Sequence, residues 1–198
     1  SHASASSLTS AARRSTCSWP ASSPPAATPR RKAVTGPAAA LAPLTRGDAG
    51  ENPYTLHADL QAVMGDLVGI IRRRGELEDA LVRLAELRER VAKVSAAGGR
   101  RYNPGWHLAL DLRYMLVVSE CTAKAALERE ESRGGHTRED FPKMSPEWRR
   151  INLVCALDGA DVVLERKPVP KMREELISLF ERTELSKYLT DDELAEFD

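Results

Sequence analysis

Between Glu131 and Pro142 the chain reads ESRGGHTREDFP. Glu131, Ser132, Arg133, His136, Arg138 and Asp140 gather there around the pair Gly134-Gly135, with Glu139 beside them. A guanidinium can hold a carboxylate through two parallel N–H···O bonds, and an imidazole changes charge near neutral pH. The stretch therefore allows a carboxylate-binding or proton-relay site. It equally allows a helix C-terminus capped by glycine and locked by ion pairs among its own side chains. Residue types and spacing leave both open.

Other familiar chemistry is missing from the sequence. There is no GxGxxG after a strand, no P-loop, no HExxH and no GxSxG. His2, His57, His107 and His136 are not at metal-ligand spacing, so no metal site is expected. The three cysteines, Cys17, Cys121 and Cys155, are far apart and include no CxxC, which argues against a disulfide framework and for a reducing, cytoplasmic setting. Cys121 and Cys155 lie among apolar residues and read as small buried hydrophobes.

The elements that must position the cluster follow from periodicity. Asn52-Pro53 offers an N-cap followed by proline at the first helical position. Leu56, Leu60, Val63, Leu67, Ile70 and Ile71 then form a helical stripe that Arg72-Arg73-Arg74 closes. Gly65 and Gly69, one turn apart, predict a close helix crossing. A second amphipathic helix starts at Glu76, with Leu77, Leu81, Leu84, Val91 and Val94 on its inner face. Asn103-Pro104 repeats the opening device and begins a third helix, expected to run to Arg133 and to be about 45 Å long. Asp158-Gly159, between the β-rich runs Ile151–Leu157 and Ala160–Arg166, signals a hairpin. Met172–Phe180 and Asp191–Phe197 read as short helical pieces.

The expected fold is mainly α: an antiparallel three-helix bundle over residues 50–142, then a β-hairpin and a short helical tail over 143–198. Residues 1–49, rich in Ala, Ser, Pro and Arg, are expected to be a disordered leader. Ser1–Gly50 holds six basic side chains and one acidic, leaving 23 basic against 28 acidic in the remainder, which is therefore mildly acidic and argues against a nucleic-acid partner. No apolar run approaches the roughly 18 residues that span a bilayer.

ESRGGHTREDFP resembles the ESRG-H-x-R-x-D-F/Y-P signature of the succinate dehydrogenase and fumarate reductase flavoprotein family, which aspartate oxidase shares. Upstream, GENPYTLHADLQAVMGDLVGIIR and the LxxLRER helix are similar to the family's C-terminal three-helix domain. Downstream, INLVCALDGADVVLERKPV and MREELISLFERTELSKYLTDDEL resemble the closing segment of actinobacterial-type succinate dehydrogenase flavoproteins. The likeness covers roughly Gly50 to Asp198; Gly135 departs from the family's usual alanine. It implies an oxidoreductase that converts succinate and fumarate with FAD, passing electrons to quinone by way of an iron–sulfur subunit, with membrane anchor subunits completing the route. It implies a cytoplasmic protein, peripheral on the inner face of the plasma membrane when in complex. The family's FAD-binding domain and catalytic residues lie upstream of this region, so no catalytic residue and no cofactor is assigned to this chain. Glu131, Ser132, Arg133, His136, Arg138 and Asp140 become candidates for interdomain contact near the flavin. The leader is expected to be an out-of-frame reading of the segment in which the family has RLGGNSLLDLLVFG-like text. Two alternatives stand beside this: a stand-alone helical interaction module, and a C-terminal fragment of an aspartate oxidase.

Overall fold

The computed structural model describes residues 36–170, 173–177, 179–187 and 191–195. Two asparagines start the long helices of its bundle. The Asn52 side chain accepts from the Tyr54 N–H at 2.9 Å and opens α2 (Pro53–Leu67). The Asn103 side chain does the same for Trp106 at 2.9 Å and opens α4 (Pro104–Glu128). Between them lies α3 (Arg74–Val91), which carries Glu76 in its first turn and Arg88 and Arg90 in its last, each sign opposite to the nearby end of the helix dipole. Leu56 and Leu60 of α2, Leu77, Ala80, Leu84 and Leu87 of α3, and Ala109, Leu112 and Leu116 of α4 meet in one buried core.

An earlier helix, α1 (Pro37–Thr45), joins this bundle and corrects the expected leader. Pro43 is fully buried, its carbonyl accepts from the Ala96 N–H at 2.9 Å, and the Trp106 indole donates to the Ala40 carbonyl at 2.8 Å. An alanine- and proline-rich stretch lacks a helical stripe, yet a bulky indole and a buried loop give it partners. Residues 1–35 lie outside the described residues. Where α1 hands over to α2, Gly50 sits in a tight gap: a Cβ there would stand 2.5 Å from the Lys93 carbonyl oxygen and 2.6 Å from the Ser95 Cβ.

Two helix ends also differ from expectation. α2 stops at Leu67, and Ile70 and Ile71 are exposed by 71% and 61% instead of continuing its stripe. The chain becomes extended and Ile71–Arg72 forms β1, paired in parallel with β2 (Thr137–Arg138). A Cβ on Gly65 would meet nothing within 4 Å, so no close helix crossing exists at that glycine. α4 stops at Glu128, about 37 Å from its start, not at Arg133.

The C-terminal part begins with α5 (Pro146–Arg149), which buries Trp148. β3 (Ile151–Asp158) and β4 (Asp161–Pro168) then form the expected antiparallel hairpin, with Asp158 opposite Asp161 and Gly159 at φ +62° in the loop. It lies along α4, where the Lys124 ammonium donates to the Val162 carbonyl at 2.8 Å and Arg166 pairs with Glu128 at 2.5 Å. Three single turns follow, α6 (Glu174–Ile177), α7 (Arg182–Leu185) and α8 (Asp191–Leu194). Met172 and Phe197 of the expected tail helices lie outside the described residues.

Candidate functional site

The residues after α4 turn back on its end instead of prolonging it. Arg133 and His136 exchange backbone hydrogen bonds of 2.8 and 3.1 Å across Gly134-Gly135, with Gly134 at φ +59°. The glycines thus make a tight turn, not the helix cap that the sequence suggests. The cap is a side chain. Arg138, fully buried, donates through Nη1 to the carbonyls of Ala126, Leu127 and Arg129 at 2.8, 3.0 and 3.3 Å. These are the acceptors a helix C-terminus leaves unpaired, at the negative end of its dipole. The other edge of the guanidinium holds Asp140 bidentately, Nε to Oδ1 at 2.7 Å and Nη2 to Oδ2 at 2.6 Å. Arg138 keeps the Asp140 carboxyl below the usual carboxylate range.

Glu131 is the opposite case, a fully buried anion. Its carboxylate accepts from Arg129 Nη1 at 2.7 Å, from Arg133 Nε and Nη2 at 3.0 and 2.9 Å, and from the Ser145 backbone N–H at 2.9 Å. Burial alone would raise its pKa, but the bonds from Arg133, Ser145 and Arg129 outweigh it and hold the group below its ordinary value. Ser132 closes the loop between the two charges: its hydroxyl accepts from the Arg138 N–H at 2.8 Å and lies 2.9 Å from the Phe141 carbonyl.

His136 faces the strand that follows α2. Its Nδ1 accepts from Arg72 Nη1 at 2.7 Å and its Nε2–H donates to the Arg129 carbonyl at 3.2 Å, which assigns the proton to Nε2. Burial lowers its pKa; the Arg129 carbonyl pulls the other way, and the charges of Arg72, Arg138 and Arg129 lower it further. Arg72 also donates to the Gly69 carbonyl at 2.6 Å, and among the described residues no carboxylate pairs with it. Burial and the Arg138 charge lower the Arg72 pKa as well.

The structure therefore brings all six sequence candidates into one corner and adds four groups. Arg129 and Ser145 complete the Glu131 site. Trp148 stacks under Arg129 and Arg166, with guanidinium carbons 5.2 and 4.8 Å from its ring centroid. Arg72, which the apolar stripe places at a helix end, stands instead on β1. The signal for that change is present in Gly69-Ile70-Ile71, a glycine followed by two β-branched residues. Chemically the corner is saturated: both carboxylates are filled by guanidinium and N–H donors, and both imidazole nitrogens are engaged. Such a network fixes geometry and leaves no lone pair of Glu131 or His136 poised to take a proton.

The corner lies inside a match to the family described as fumarate reductase flavoprotein C-term, which spans residues 57–183. Mycobacterium smegmatis Sdh1, in a structure of its complex with UQ1, is 54% identical, with a TM-score of 0.71 over 79% of this chain and 27% of that one. The fumarate reductase flavoprotein subunit of Mycobacterium tuberculosis is 35% identical over 102 residues, covering 51% of this chain and 18% of that protein. The corresponding protein of Helicobacter pylori is 34% identical over 112 residues, covering 56% of this chain and 16% of the relative. This chain thus spans under a fifth of the length of these two curated relatives. With a helical bundle, a hairpin and a signature corner matched over most of its length, the chain belongs to the fumarate reductase flavoprotein C-terminal family.

Proposed function

We propose that this chain acts as the C-terminal helical region of a succinate dehydrogenase flavoprotein, and that its charged corner seats against the FAD-binding domain of the intact protein. The observation that carries the reading is the 54% identity to Mycobacterium smegmatis Sdh1 across 79% of the chain. FAD itself finds no cradle among the described residues: the two sheets are a two-residue parallel pair and a hairpin, with no βαβ unit and glycine-rich turn to hold a pyrophosphate. No redox step is assigned to these residues. Their part is positional, and Glu131, Ser132, Arg133, His136, Arg138 and Asp140 serve it by holding β1, the Gly134-Gly135 turn and the end of α4 in one rigid unit. The face this unit presents combines exposed Ile70 and Ile71 with Arg72, a cation that no carboxylate among the described residues pairs.

The intact protein would convert succinate and fumarate, working with membrane anchor subunits and an iron–sulfur subunit, peripheral to the inner face of the plasma membrane. Among the described residues no helix is long and apolar enough to cross a membrane. Co-purification tests the reading. The chain is expressed with the FAD-binding part of Mycobacterium smegmatis Sdh1 as a separate polypeptide, and flavin absorbance is read in the complex. A complex that retains flavin and binds the iron–sulfur subunit is the expected result. Stoichiometric flavin on the chain alone overturns the assignment of the cofactor to another domain. A stable fold that captures neither polypeptide favours a stand-alone helical module.

A further inference from the structure

Cys121 and Cys155 are 34 positions apart and sit on different elements, yet the fold brings the Cys155 side chain to the Cys121 backbone. Cys121 is half-buried on α4, and Cys155 is exposed in the middle of β3. This corrects the reading of both as buried hydrophobes. The Cys155 thiol points at the helix: its Sγ lies 3.9 Å from the Cys121 carbonyl oxygen. Beyond Cys121 along α4 the hairpin is tied to the helix by polar contacts, Lys124 to the Val162 carbonyl and Arg166 to Glu128. Both cysteines are free thiols, so nothing covalent joins α4 and β3 there.

We propose that Cys121 and Cys155 form an oxidisable dithiol, with a hydroperoxide as its substrate and a helix-to-hairpin disulfide as its product. The exposed Cys155 thiolate attacks the peroxide O–O bond, giving a sulfenic acid on Cys155 and one molecule of water or alcohol. The Cys121 sulfur then attacks the Cys155 sulfur, an S–S bond forms, and hydroxide leaves and takes a proton to become water. Two thiols lose two electrons and two protons; the hydroperoxide is reduced. The order follows from access. Cys121 is shielded, and burial, then the charge of Cys155 and of Glu120, raise its thiol pKa against the opposing pull of Lys124, so it resolves the sulfenic acid rather than meeting the oxidant first.

The closed loop contains the whole charged corner from Glu131 to Pro142. Oxidation thereby restricts the unfolded chain around the segment that the family signature marks. A reducing compartment keeps the pair as thiols, and an oxidative burst converts it.

The test uses the full chain with Cys17→Ser, so that a single pairing remains, treated with hydrogen peroxide in slight excess. Intact mass and peptide mapping read the product. The expected result is a mass lower by two hydrogen atoms, a Cys121–Cys155 cross-linked peptide, and reversal by dithiothreitol. The thermal midpoint should rise by about 5 to 15 °C on oxidation and fall back on reduction. The Cys121→Ser variant should instead gain oxygen on Cys155 and show no such rise, with its circular dichroism reporting that it is folded. Cys155 driven to sulfinic acid while Cys121 remains a free thiol overturns the proposal. So does a cross-link that forms as fast in the urea-unfolded chain as in the folded one, or a pair that survives the peroxide unreacted.

Discussion

Two regions of this protein each bury side chains completely, and they do it by opposite means. In the bundle, Leu56, Leu77 and Leu112 are fully covered and gain from leaving water in any orientation that packs. In the corner, Glu131 and Arg138 are equally covered, and each is stable only because every strong donor or acceptor it carries is met. The bundle tolerates a change of shape as long as volume is kept. The corner should tolerate no loss of a polar atom, even at constant shape. The types of the signature residues are therefore dictated by the geometry of the end of α4 and of α5's entry before any outside partner is considered.

The comparison can be broken most directly at Arg138. Arg138→Met keeps the stem but strands Asp140 and three carbonyls, and the expected loss is about 3–5 kcal/mol of unfolding free energy in urea titration. A loss under about 1 kcal/mol would mean that water or Arg129 takes over the cap. Glu131→Gln comes next. The amide keeps the shape but turns an N–H₂ group toward Arg129, Arg133 and the Ser145 N–H, with an expected cost of roughly 2–4 kcal/mol by the same titration. Its counterpart in the bundle is Leu112→Met, for which a volume-conserving swap is expected to cost less than about 1.5 kcal/mol. If the Leu112 swap proves the more damaging of these two, the distinction between the regions fails.

pH offers a gentler probe. The folded pKa of His136 lies below its ordinary value of 6.5. The unfolded chain therefore binds more protons in that range, and stability should rise with pH up to about neutrality and fall as pH drops through 6.5. His136→Gln should flatten this first decline. A second decline, at lower pH, belongs to Glu131 and Asp140, whose ordinary values are 4.5 and 3.8 and whose folded values lie lower still. Denaturant midpoints measured from about pH 2 to 8 in wild type and variant would separate the two; an unaltered first decline in His136→Gln would assign it elsewhere. Smallest of all should be Arg166→Met, which removes an exposed pair with Glu128 and one stacking partner of Trp148. The expected change is about 0.5 kcal/mol, readable as a shift of a degree or two in thermal midpoint.

Much of the bundle and hairpin was legible because it rests on local rules. Asn-Pro caps, a 3.6-residue apolar period and a glycine loop between β-rich runs each act within a few positions of themselves. The departures from these local rules share one cause. Ile70 and Ile71 continue a helical stripe on paper, but β1 gains a parallel partner far along the chain, and the backbone bonds from Thr137 and Glu139 to Ile70 and Arg72 replace the helical ones. Residues 37–45 lack a stripe, yet Trp106 and the Ala96 N–H give their carbonyls donors to meet. Gly134-Gly135 looks like a helix cap, but a cap is only needed where the helix ends, and Arg138 supplies it there.

Residue order alone specifies where the long helices begin, that a hairpin follows them, which face of each helix is apolar, and that one charged stretch stands apart. These follow from short-range capping, periodicity and residue type. Tertiary packing was needed to settle that Glu131 and Arg138 are buried, that His136 carries its proton on Nε2, that Arg72 faces it from a strand, and that the Cys155 thiol reaches the backbone of distant Cys121. Each of these depends on which groups a folded chain places within about 3–4 Å of one another. Those distances are set by how the end of α4, the turn after it, β1 and the hairpin pack together, and a helical or strand period does not encode them.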